Sequence, residues 1–236
     1  MANLGRIAWS SVGKKFISGL TGLILVLFLV VHLIGNLLIY VGPDAFNSYA
    51  HTLESLGHGC FVYVAEAGLL AFFLFHIGSG FSVALHRRSA RKLAYYKVTD
   101  AGGTSRKSLA SRSMIITGGV LLVFVVIHVK MFKFGPAEIV QTAHGTDVRD
   151  LYTLVLQAFK DPLISLFYTA VMILLGVHLK HGVWSAFQSI GVNHPRFNPF
   201  LFVGGTILGI LLAVGFVVFP VLIYLFFENP AQRGGI

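Results

Sequence analysis

Five long stretches with almost no charge decide what this chain can fold into. They cover residues 17–41, 61–85, 113–134, 163–187 and 200–227. Each holds about 22–28 residues, enough for a helix to cross a hydrocarbon core of about 30 Å. The stretches show no sustained polar/apolar alternation, and barrel strands need only about 10 residues. Inside lipid a helix satisfies its own backbone hydrogen bonds, which an open strand cannot do. The expected fold is therefore all-α: an integral membrane bundle of five transmembrane helices, in one domain over residues 1–236. No soluble domain, repeat or low-complexity tract is expected. The first stretch is too long for a cleavable signal core, and it carries His32 and Asn36.

Composition agrees. Of the residues, 56% are hydrophobic and 11% charged, about half the charged share of a soluble domain. The net charge is +9, and its placement matters more than its size. Arg6, Lys14 and Lys15 precede the first span. Arg87, Arg88, Arg91, Lys92, Lys97, Arg106, Lys107 and Arg112 follow the second. Residues 42–60, after the first span, hold no Lys or Arg. The positive-inside rule then puts the N-terminus in the cytoplasm and the C-terminus outside. The charge reads as topological rather than as a nucleic-acid signature. The long basic loop also suits lipid headgroups or a cytoplasmic partner.

Four of the five spans carry a central histidine: His32, His76, His128 and His178. Ionisable groups inside a span are costly and are functional candidates by default. One such histidine is most simply a hydrogen-bonded packing residue. Four on four helices ask for more. Spans I and III run outward, and His32 and His128 each lie about 15 residues from the inner start, about 22 Å deep. Spans II and IV run inward, and His76 and His178 each lie about 9 residues from the inner end, about 14 Å deep. The histidines thus form two pairs matched in level, one nearer the outside and one nearer the cytoplasm.

Two imidazoles facing each other across a bundle suit axial ligation of haem iron. Zinc or copper would want three or four protein ligands at one depth. A proton relay needs no matched pairs. The single cysteine, Cys60, excludes a disulfide framework, a cysteine zinc site and an iron–sulfur cluster held by this chain alone. No Cys-x-x-Cys-His occurs, so the haems would be two of b type.

Small residues lie along the ligand helices: Gly35, Gly78, Gly80, Gly118, Gly119 and Gly176. They would let a flat macrocycle near the backbone, or let helices pack closely. Gly205 and Gly209 in span V read as packing, and Pro220 as a bend. His181 follows His178 by three residues and is a candidate contact for a haem propionate. Ser18, fourteen residues before His32, and Arg87, eleven after His76, are further propionate candidates at the inner level. Ordinary readings for these two are a helix start and a snorkelling charge. His86 lies at the membrane edge, and His51, His58, His144 and His194 lie in loops or at helix ends.

Glu66 is the only carboxylate well inside a span. It lies near the outer histidine level, about 80° around the helix from His76. A carboxylate there could exchange protons with a quinone, or simply hold two helices together. Asp44, Asn47, His51 and Glu54 add polar groups in the outer loop.

These residues together resemble a known family. Lys14-Lys15-Phe16-Ile17-Ser18-Gly19-Leu20-Thr21-Gly22 and His32-Leu33-Ile34-Gly35-Asn36-Leu37, with His76, His128 and His178, carry the likeness. The chain resembles, over nearly its whole length, the di-haem cytochrome b membrane anchor of succinate dehydrogenase and fumarate reductase (respiratory complex II), in its single-subunit five-helix form. The resemblance implies that His32 and His128 hold the distal haem and His76 and His178 the proximal one. It implies an iron–sulfur subunit and a flavoprotein with covalent FAD docked on the cytoplasmic side of an inner membrane. It implies menaquinone as the substrate, in a pocket near the distal haem served by a glutamate, a role Glu66 is placed to fill. The chain would then be the quinone-reactive subunit of an enzyme whose succinate site lies elsewhere. Two alternatives stay open: a di-haem b subunit of the hydrogenase or formate dehydrogenase type, and a haem-free anchor or transporter.

Overall fold

The computed structural model describes residues 9–89 and 109–230, with side chains at all of these except 87, 88 and 109–112. In chain order the elements are α1 (Ser11–Leu37), continued by a 3-10 turn (Leu38–Tyr40), α2 (Pro43–Ser55), α3 (Cys60–Ser89) and α4 (Leu109–Phe132). There follow β1 (Ile139–Gln141), β2 (Asp147–Arg149), α5 (Leu151–Lys160), α6 (Pro162–Ser189) and α7 (Asn198–Phe226). Five of these, α1, α3, α4, α6 and α7, are long and apolar enough to cross a membrane, one for each expected span.

Two features suit these helices to lipid. Their apolar side chains face outward in number: Leu27, Ile34, Val64, Leu74, Val123, Val126 and Leu211 are all exposed. In water such a surface would aggregate; in hydrocarbon it costs nothing. Several of their hydroxyls are settled within the helix. Thr21 donates to the carbonyl of Ile17 at 2.6 Å, Ser79 to Phe75 at 2.6 Å and Thr169 to Ser165 at 2.7 Å. A polar group bonded four residues back exposes no unmet donor to the apolar phase.

The chain divides into two compact units, and each of the five long helices contributes a segment to both. The first holds Met1–Leu27, Leu70–Gly119 and Gly176–Ile210; the second holds Phe28–Leu69, Val120–Leu175 and Leu211–Ile236.

In the first unit α7 lies close on α6. A Cβ added at Gly205 would stand 2.9 Å from Val183 Cγ1, and one at Gly209 would stand 3.2 Å from the backbone nitrogen of Lys180. Only glycine permits that approach, so this pair does pack helix on helix. Val183, Leu179 and Ala186 are buried there. Near the start of α1, Lys14 Nζ sits 5.4 Å from the centre of the Trp9 ring.

The second unit has a core of Ile39, Ile223, Phe219, Phe159 and Tyr168. It also carries structure that hydropathy does not signal. The connection after α1 is the helix α2, opened by Pro43 at its first position, where a missing N–H costs no bond. The connection between α4 and α6 is an antiparallel hairpin, with Val140 opposite Val148, followed by α5. Asn47 ties α2 to α5: its Nδ2 donates to Asp150 Oδ1 at 3.0 Å and its Oδ1 accepts from the Tyr152 N–H at 2.9 Å. Asp150 also caps α5, accepting from the Thr153 N–H at 3.1 Å. Asp44 accepts from the Ala143 N–H at 3.1 Å. The loop polar groups Asp44 and Asn47 are thus engaged in holding this cap together.

Candidate functional site

Each unit contains one pair of the four histidines. In the first, His76 on α3 and His178 on α6 have ring centres 6.4 Å apart, with planes at 69°. In the second, His32 on α1 and His128 on α4 have ring centres 5.8 Å apart, with planes at 87°.

The first pair is held by hydrogen bonds. His76 Nδ1 lies 3.1 Å from the carbonyl oxygen of Ser18. A carbonyl only accepts, so Nδ1 carries the proton and Nε2 keeps its lone pair. His178 Nδ1 lies 3.0 Å from Thr117 Oγ1. Glycine makes room for one ring: a Cβ at Gly22 would meet His76 Cε1 at 3.1 Å. The second pair is held by aromatic rings. His32 stacks on Phe28 at 5.3 Å and lies 6.2 Å from Phe216. His128 stacks on Phe124 at 5.6 Å and meets Phe132 at 5.3 Å. Its Nδ1 is 3.5 Å from the buried hydroxyl of Tyr168, at the long limit of a hydrogen bond.

These residues fit a haem iron. A metal–imidazole bond is about 2 Å, which puts two imidazoles on opposite faces of one ion with centres about 6 Å apart. The 6.4 Å separation of His76 and His178 falls at that value, and the 5.8 Å separation of His32 and His128 is slightly shorter. Among the described residues no group of three or more His, Cys, Asp or Glu side chains could hold a metal ion. Two imidazoles alone suit a metal that brings its remaining ligands with it, as haem iron does. In the first unit Thr206 Oγ1, on α7, is buried without a hydrogen-bond partner.

The other expected site residues fall as follows. Ser18 lies beside His76, but its carbonyl rather than its hydroxyl meets the ring; the hydroxyl oxygen faces Gly80, 3.7 Å from where a Cβ would stand. His181 lies one turn further along α6 than His178, half-buried. Arg87 is near the end of α3, and its side chain lies outside the described residues. The same holds for the side chains of Arg88 and Arg112, for Arg6, and for Arg91, Lys92, Lys97, Arg106 and Lys107 in the basic loop. Glu66 forms an ion pair with Lys133, just past the end of α4, and both side chains stay partly exposed. Gly35 is occupied with packing: a Cβ there would stand 2.7 Å from Tyr49 Cε1.

Thr117 and Tyr168 are the residues that sequence reasoning misses. A threonine in a span bonds its own helix by default, and a tyrosine beside phenylalanines reads as core. Only the fold brings their oxygens to a histidine nitrogen. Against known proteins, the chain matches no family model, no curated sequence and no solved structure.

Proposed function

We propose that this chain is a di-haem cytochrome b membrane anchor of the succinate:quinone oxidoreductase type. The observation that carries the reading is the double histidine pair, each pair bridging two helices with ring centres at 6.4 and 5.8 Å. His76 and His178 would hold one b haem near the cytoplasmic side, and His32 and His128 the other, nearer the outside. Bound there, the haems supply one-electron transfer between an iron–sulfur subunit and a quinone in the membrane, menaquinone by the family likeness.

The chain's own residues bind and orient. Ser18 and Thr117 turn the rings of His76 and His178, and the phenylalanines around His32 and His128 keep water from that pair. Glu66 moves protons to or from the quinone oxygen. Lys133, ion-paired with Glu66, spares that carboxylate from standing as a lone charge in a medium that disfavours one. The basic loop and the N-terminal segment form the docking face for the iron–sulfur subunit, which carries the FAD-bearing flavoprotein.

The test is a pyridine haemochrome assay on the native chain purified with whatever accompanies it. Two b haems per chain, with flavin and iron–sulfur subunits attached, is the expected result. A well-folded native sample without haem overturns the reading in favour of a bare anchor or transporter.

A further inference from the structure

Thr117 lies on α4, buried, and makes three contacts through one oxygen. Oγ1 is 3.0 Å from the Ser113 carbonyl, 3.2 Å from the Met114 carbonyl and 3.0 Å from His178 Nδ1. A hydroxyl has one hydrogen. Both carbonyls can only accept, and the bond to Ser113, four residues back, is the one a helical threonine makes by default. With the hydrogen there, Oγ1 offers His178 a lone pair. The ring then donates from Nδ1, the tautomer that leaves Nε2 unprotonated and free to bind a metal. A donated hydrogen bond also moves electron density onto the ring and makes Nε2 a stronger ligand.

We infer that Thr117 is the positioning residue for His178: it fixes the tautomer and ring orientation of that ligand and lowers the reduction potential of the haem the ligand holds. The inference rests on the haem reading above. The other histidine of the pair is oriented by a backbone carbonyl that no side-chain change can remove. Tyr168 at His128 is a weaker counterpart, since its hydroxyl lies 3.5 Å from Nδ1 and 3.6 Å from Met131 Sδ. Thr117 is therefore a side chain through which one haem can be tuned without the other. The sign follows from charge: a more electron-rich imidazole stabilises ferric iron, so losing the bond raises the potential.

The experiment compares the native protein with Thr117→Val and Thr117→Ser, purified with its partners. Haem content comes first, then a spectroelectrochemical titration resolving the two haems. The haem retained when His32 is replaced identifies the His76/His178 site. The expected result is an upward shift of that haem alone in the valine variant, with recovery toward the native value in the serine variant. Loss of that haem in the valine variant, with retention in the serine one, supports the same role, because valine keeps the shape and removes only the bond. Unchanged potentials, equal shifts of both haems, or loss of haem from both variants would assign Thr117 to packing and overturn the proposal. A native chain without haem overturns the functional reading itself, a result that the wild-type assay alone reveals.

Discussion

The backbone carbonyl of Ser18 faces Nδ1 of His76 at 3.1 Å, across 58 residues of sequence. The carbonyl belongs to α1, the helix that also carries His32. Thr117, which faces His178, belongs to α4, the helix that also carries His128. The two helices that supply the rings of one pair therefore supply the orienting oxygens of the other.

Replacing either ring of a pair should remove one haem and spare the other. His32→Ala and His128→Ala should each leave one b haem per chain, and so should His76→Ala and His178→Ala. Haem-to-protein ratios check this. Two haems retained in any of the four variants would break the pairing given by ring distances of 5.8 and 6.4 Å.

Gly22 should take a side chain only at the expense of His76. A Cβ at that position would stand 3.1 Å from His76 Cε1 and 3.3 Å from Nδ1, so the ring, bonded to the Ser18 carbonyl, must give by a few tenths of an ångström. Overpacking of this kind costs about 1–3 kcal/mol. Gly22→Ala should change the electron paramagnetic resonance signal of the His76 haem and leave that of the His32 haem alone. An unaltered spectrum would mean that the glycine is incidental.

Glu66→Gln should keep both haems and stop quinone turnover, because an amide cannot pass a proton. Lys133→Gln should slow turnover less, since it removes only the partner of the carboxylate. Steady-state quinone reduction, with haem content as a control, separates the two. Normal turnover in Glu66→Gln would leave Glu66 as a helix-to-helix contact with Lys133.

Asn47→Ala should loosen the cap of the second unit without touching haem content. The side chain is 3% exposed, and it both donates to Asp150 and accepts from Tyr152. Leaving buried partners unmet costs about 1–3 kcal/mol each. Thermal unfolding in detergent should show the loss. An unchanged midpoint would show that the Asn47 bonds are replaced by water.

What could be read from the sequence was what depends on spacing along one helix. The five spans follow from the length and polarity of their stretches. The nearness of His32 to His128, and of His76 to His178, follows from counting residues from each span's inner end. What could not be read depends on chain segments far apart. Asn47 and Asp150 are separated by 103 positions, and neither looks unusual where it stands. Pro43–Ser55 is too short and polar to register as a span, so it reads as a loop until Phe46 and Asn47 are seen buried. Strands of three residues, such as Ile139–Gln141 and Asp147–Arg149, carry too few positions to show a period. Thr117 hides because its default bond to Ser113 is also present; the histidine takes what that bond leaves over.

The hydroxyls of Thr21, Ser79, Thr117, Thr169 and Ser189 all close onto carbonyls four residues back in their own helices. Such bonds form as soon as the helix does and need no neighbour. Each span can therefore leave the translocation machinery and settle into the bilayer singly, before any tertiary contact exists. His32, His76, His128 and His178 meet partner rings only across helices, so that pairing can come only after both helices of a pair are in place. Biogenesis would then run in two stages, insertion of single helices first and their pairing second.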